Sequence, residues 1–187
     1  MTFWYTAKNS FDPSYGDGSS WKKYIEGSKL TQLKEVVSLD TMLCELTFDP
    51  DYDNEELYKY IICDQHYVTD LFNSFDYVLK NVQDKSDFNL LALIKEPDQE
   101  YKNIDLKDFE FAGYDLLDKD YSVSALTNCG GFIETFSNDK LNNIGLLDTY
   151  EMATDIRKRL FENSPNDWHA DCFIFALWRH KTIGRVL

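Results

Sequence analysis

The chain lacks most of the features that assign a protein to a class at sight. No apolar run approaches the roughly 20 residues that a membrane-spanning helix requires. The opening residues, Met1-Thr2-Phe3-Trp4-Tyr5-Thr6-Ala7-Lys8, show no basic stretch followed by an apolar one, so no secretory signal peptide is expected. No Asn-x-Ser/Thr glycosylation site occurs. Positive charge is scarce: 19 Lys and Arg face 33 Asp and Glu, a formal net charge of −14 over 187 residues. Phosphate contacts need clustered Lys and Arg, so a nucleic-acid partner is not expected, and adsorption to an anionic membrane is disfavoured for the same reason. Also missing are GxxxxGK[ST], GxGxxG, HExxH and GxSxG, so common nucleotide, metalloprotease and hydrolase chemistries lose support and no cofactor is expected. The 4 cysteines, Cys44, Cys63, Cys129 and Cys172, are too few and too spread for a disulfide scaffold, which makes a reducing cytoplasm the expected compartment.

What is present argues for a folded domain. The composition is 43% hydrophobic and 16% aromatic, well outside the disordered range. No internal repeat, low-complexity tract or long linker divides the chain, so residues 1–187 are read as one domain. Phe3 to Ala7 reads as a strand, and Ser19 or Ser20 can cap a short helix that Gly27 ends. Leu33 to Leu43 fits a strand through Val36, Val37 and Leu39, while Leu33, Val36, Val37 and Asp40 also fit a helical face; the strand is preferred. Thr69 to Val82 reads as a helix with Leu71, Phe72, Phe75, Val78 and Leu79 on one face. Phe88 to Ile94 is a buried strand by its continuous apolar run. Phe109 to Leu116 and Ser122 to Leu126 are strands about a turn at Asp118-Lys119-Asp120. Thr149 to Asn163 is a helix with Tyr150, Ala153, Ile156, Leu160 and Phe161 on one side, and Trp168 to Trp178 is the closing strand. Without regular βαβ alternation this predicts an α+β fold, an antiparallel or mixed sheet packed with two or three helices.

Charge is unevenly placed. Residues 1–148 carry 13 basic and 28 acidic side chains, whereas residues 149–187 carry 6 and 5. The C-terminal cations are expected to pair with the acidic body. The densest acidic stretch, Asp49-Pro50-Asp51-Tyr52-Asp53-Asn54-Glu55-Glu56, begins like a calcium loop. It then places Asn54 where an EF-hand needs glycine and Tyr60 where it needs glutamate, so it is read as a solvated loop or an acidic contact patch. Asp49, Asp51, Asp53 and Glu55 lie among Tyr52, Tyr58, Tyr60 and Tyr67. Acidic groups interleaved with tyrosine suit contact with a basic protein partner.

Two other constellations carry possible chemistry. Cys129 precedes two glycines in Thr127-Asn128-Cys129-Gly130-Gly131-Phe132, where a thiolate would face backbone N–H groups. His169 is its candidate base, and Asp171 or Asp115 the orienting carboxylate. A tight turn with Cys129 packed inside is the simpler account. Cys63 and His66 with His169 and Cys172 supply the ligand types of a structural zinc site. About a hundred residues separate the two pairs, and His169 and Cys172 fall on opposite faces of a strand, so buried cysteines are preferred and no metal is expected.

Several segments together form a recognisable pattern: Ser38-Leu39-Asp40-Thr41-Met42-Leu43, Phe75-Asp76-Tyr77-Val78-Leu79, Gly113-Tyr114-Asp115-Leu116-Leu117-Asp118, Ser124-Ala125-Leu126-Thr127-Asn128-Cys129-Gly130-Gly131-Phe132 and His169-Ala170-Asp171-Cys172. The chain resembles in these a family of small bacterial proteins with no established activity, across most of its length. The resemblance implies a cytosolic bacterial protein and transfers no catalytic residue. The acidic character is also similar in kind to that of immunity proteins that neutralise toxins.

Overall fold

The structure is a computed structural model, and it describes residues 2–11, 23, 27, 30–62, 69–127, 138–167 and 170–184. The apolar run that begins at Phe88 forms a strand, β2 (Phe88–Lys95), buried from Phe88 to Ile94. A strand apolar on both faces belongs inside a sheet. It lies there, between β1 (Trp4–Asn9) and β4 (Cys172–His180), and β3 (Phe109–Asp118) completes the order β1-β2-β4-β3. All three pairings are antiparallel, with Trp4 opposite Leu93, Leu93 opposite Leu177, and Asp115 opposite Phe175. The outer edge of β1 is closed by other chain segments rather than left open to aggregation. Tyr5 and Phe72 exchange two backbone hydrogen bonds of 2.8 and 2.9 Å, and Thr47 N donates to Ala7 O at 2.9 Å.

Both long helices pack on one face of this sheet. Ser74 caps α1 (Phe75–Val82) by accepting from Tyr77 N, and Val78 and Val82 pack against Ala7, Phe88 and Leu90. Thr149 caps α2 (Tyr150–Asn163) by accepting from Met152 N. Its Ala153, Ile156 and Leu160 meet Tyr114, Leu116, Ile174 and Trp178. The fold is therefore α+β, as its patterning predicts. Phe161, expected on the apolar side of α2, is 54% exposed, because the buried stripe runs through Ala153, Ile156 and Leu160 alone.

The opposite face carries Leu91, Leu93, Phe175, Leu177 and Leu117, and irregular chain covers it through Val37, Leu39, Leu71 and Leu146. Here the expected strand at Leu33–Leu43 is absent. The segment is buried but does not join the sheet, because its donors find other acceptors. Lys34 N and Val37 N donate to Asn143 O and Ile144 O, and Leu39 N donates to the Asp115 carboxylate at 2.9 Å. Asp115 is 0% exposed. It also accepts from Ser38 Oγ, Leu116 N and Ser124 Oγ. Arg179, on the same sheet face, holds Glu35 through two N–H···O contacts of 2.6 and 3.1 Å. β-Branched residues favour strands only where a pleated ladder is available, and a buried carboxylate has displaced the ladder.

Other boundaries shift for similar reasons. The first helix starts at Phe75 rather than Thr69, since Phe72 is held between Tyr5 and Ile61 as extended chain. Ser122–Leu126 makes one bridge, Leu117 to Ser124, instead of a strand, because Ser124 turns its hydroxyl to Asp115. A bulge between Phe111 and Gly113 seats the turn before α2. Gly113 has φ 142°, and a Cβ there would lie 2.7 Å from Leu146 Cβ, so only glycine fits. The closing strand begins at Cys172 and runs on to His180. The short helix expected after Ser19 or Ser20 lies outside the described residues except for Lys23 and Gly27, both helical.

Replacing Asp115 by alanine would strand three buried donors from two separate chain segments, at a cost of about 3–5 kcal/mol. Urea unfolding of Asp115→Ala should show that loss, and a change below about 1 kcal/mol would contradict this account of the covered face.

Candidate functional site

The acidic stretch is an ordered loop. Asp51 Oδ1 accepts from Asp53 N at 3.2 Å, Asn54 Oδ1 accepts from Glu56 N at 2.9 Å, and the chain then turns through a short 3₁₀ segment, Leu57–Lys59. Leu57 is buried against the β1–α1 corner, which anchors the loop beside α1. Tyr60, the residue after that turn, stacks on Tyr77 of α1 with ring centroids 4.6 Å apart and planes 20° apart. Tyr77 in turn lies against Phe72, and Phe72 against Phe48. An aromatic column therefore runs from the buried Phe48–Phe72 pair outwards to Tyr60, and it fixes where Tyr60 stands.

A cavity of about 300 Å³ opens at the outer end of this column, lined by Glu56, Tyr60, Ser74, Asp76, Tyr77 and Lys80. Two carboxylates against one ammonium give its walls one net negative charge. Asp76 and Lys80 lie one turn apart on α1, Asp76 in its first turn and Lys80 in its last. Among the described residues no ion pair or hydrogen bond engages the carboxylate of Glu56 or Asp76 or the phenol oxygen of Tyr60 or Tyr77. Burial pushes the Tyr77 phenol pKa upward, and the negative charges of Asp70, Asp51 and Glu56 push it further. Carboxylates from two parts of the chain, the loop and Asp70, thus act on one phenol. The arrangement offers a negative, aromatic-walled recess to a cation.

The residues expected from the sequence surround this recess unevenly. Asp49, Asp51, Asp53 and Glu55 are exposed, and Tyr58 is 55% exposed. Tyr52 is half-buried, with its hydroxyl donating to Asp70 Oδ1 at 2.7 Å, so it braces the loop rather than facing outward. Tyr67 lies outside the described residues. Ser74, Asp76, Tyr77 and Lys80 escape the sequence reading. The one available signal is that Asp76, Tyr77 and Lys80 fall off the apolar stripe of their helix.

Of the proposed catalytic set, Cys129 and His169 lie outside the described residues, as do Cys63 and His66. Asp171 is exposed and pairs with Lys119 at 3.3 Å. Asp115 is occupied by the four donors named above. Among the described residues no three His, Cys, Asp or Glu side chains gather as metal ligands. Cys44 and Cys172 are buried thiols; burial pushes Cys44 up to about 12 and Cys172 further, so neither is a thiolate at neutral pH. Lys8, which the sequence does not flag, is 1% exposed. Burial lowers its ammonium to about 8, while Cys44, Asp40, Asp70 and Asp115 pull it back up.

No protein-family model, no curated protein and no solved structure matches this chain, so the recess has to be read on its own chemistry. One consequence of the buried thiols is checkable. Iodoacetamide at pH 8 should leave Cys44 and Cys172 unmodified in the native protein and label both after unfolding. Native labelling of either, seen by peptide mass spectrometry, would contradict the burial described.

Proposed function

We propose that this chain is a cytosolic bacterial protein-binding module, adaptor-like or immunity-like, that recognises a basic partner protein through the acidic, tyrosine-rich face formed by residues 49–60 and α1. The observation that supports this is the negatively charged recess lined by Glu56, Tyr60, Asp76 and Tyr77, with the Glu56 and Asp76 carboxylates left unpaired among the described residues. Unpaired carboxylates on a braced loop attract a basic surface over long range, and tyrosines beside them supply contact area at low entropic cost. Asp49, Asp51, Asp53 and Glu55 ring the face and contribute steering, while the recess contributes the contact.

Reversing charge in the ring tests this at residues that do not line the recess. Asp51→Lys, Asp53→Lys and Glu55→Lys combined should slow association with a basic partner recovered by the unaltered protein on the order of tenfold at low ionic strength, and flatten the salt dependence. An unchanged association rate with unchanged salt dependence would overturn the reading.

A further inference from the structure

The recess has a shape and a composition that select among cations. Two tyrosine rings stacked on each other, 4.6 Å between centroids, line it together with Glu56 and Asp76. An anion is disfavoured despite the nearby start of α1. Ser74 Oγ already caps that helix by accepting from Tyr77 N, and Asp76 places a carboxylate in its first turn. A divalent ion is poorly served as well, since two acids, two phenols and an ammonium are not the oxygen-rich cage that calcium or magnesium takes. A monovalent cation matches the single net negative charge of the walls.

Between the two side-chain cations, the chemistry divides. An ammonium is a compact, strongly hydrated charge and gains little from half-buried tyrosine rings. A guanidinium is planar, more weakly hydrated, stacks on aromatic faces and presents parallel N–H donors that fit a carboxylate edge. We infer that the recess is a guanidinium pocket, seating one arginine side chain of the basic partner beside Tyr60 and Tyr77 with its N–H groups on Glu56 and Asp76. Lys80 stands on the wall as the intramolecular competitor for the same two carboxylates and limits the pocket to one added positive charge. This assignment rests on the protein-binding reading above and adds the identity of the anchoring side chain.

Three peptides, acetyl-Gly-Arg-Gly-Arg-Gly-amide, its lysine counterpart and its citrulline counterpart, test it in titrations of the whole protein at low ionic strength, followed by amide NMR shifts. The arginine peptide should bind at least about tenfold more tightly than the lysine one, with the shifts centred on 56–60 and 74–80, and citrulline should not bind. Glu56→Gln combined with Asp76→Asn keeps side-chain shape and should bring arginine binding down to the lysine level. Tyr60→Leu, at the outer end of the column, should do the same while leaving Tyr77 in place. Equal binding of arginine and lysine, weakened alike by Glu56→Gln and Asp76→Asn, would overturn the guanidinium assignment and leave the acidic-face reading standing. Arginine binding indifferent to all three substitutions would overturn the recess as the site. Binding of neither cationic peptide would overturn both the assignment and the reading on which it rests.

Discussion

The Asp115 carboxylate decides how the second face of the sheet is closed. It stands in the register of β3 opposite Phe175, on a face that carries Leu91, Leu93, Leu177 and Leu117 and also the buried Lys8 and Arg179. Burial raises the pKa of this carboxyl group, and a polar group in such a place is tolerated only if hydrogen-bond partners converge on it. Those partners come from Ser38 and Leu39 in one segment and from Ser124 in another, besides the neighbouring Leu116 N. The acid thus draws two irregular stretches over the sheet and sets their positions to within a hydrogen bond.

From that constraint the rest follows in sequence. Ser38 also meets Thr127 at 3.3 Å, and Asp40 accepts from Met42 N, Leu43 N and Ser124 N, so the cover is tied to itself as well as to the sheet. Cys44 is carried inside by the same turn, its thiol donating to Val36 O. Thr47 N then reaches Ala7 O along the edge of β1, and the acidic loop emerges beyond Phe48. The position of the loop against α1 is therefore inherited from the closure of the interior. Its chemistry, unpaired carboxylates and stacked phenols, faces outward.

Much of the architecture is legible in local pattern. The run Phe88–Ile94 can only be a covered strand, and Thr149 before Tyr150, Ala153, Ile156 and Leu160 specifies a capped amphipathic helix. Leu33–Leu43 is misleading because Val36, Val37 and Leu39 carry strand preference, while the acceptors of the segment's backbone donors, Asn143 for Lys34, Ile144 for Val37 and Asp115 for Leu39, lie 76 to 109 residues further on and leave no trace in the segment itself. The same holds for the site. Acidic residues mixed with tyrosine mark 49–60 as a contact face, but nothing near Tyr60 announces that it will stack on Tyr77. Tyr52, which looks like a contact residue by composition, is spent on Asp70.

On the proposed reading a partner meets this protein at the acidic loop and α1, and the interior gathered by Asp115 is structural. Amide hydrogen exchange of the protein alone and in complex with its basic partner tests that division most directly. Protection gained within 51–62 and 74–80, with exchange at 36–40 and 115–127 unchanged, is the predicted result. Protection confined to 124–137, the stretch around Cys129, with none at the loop or α1, would contradict it.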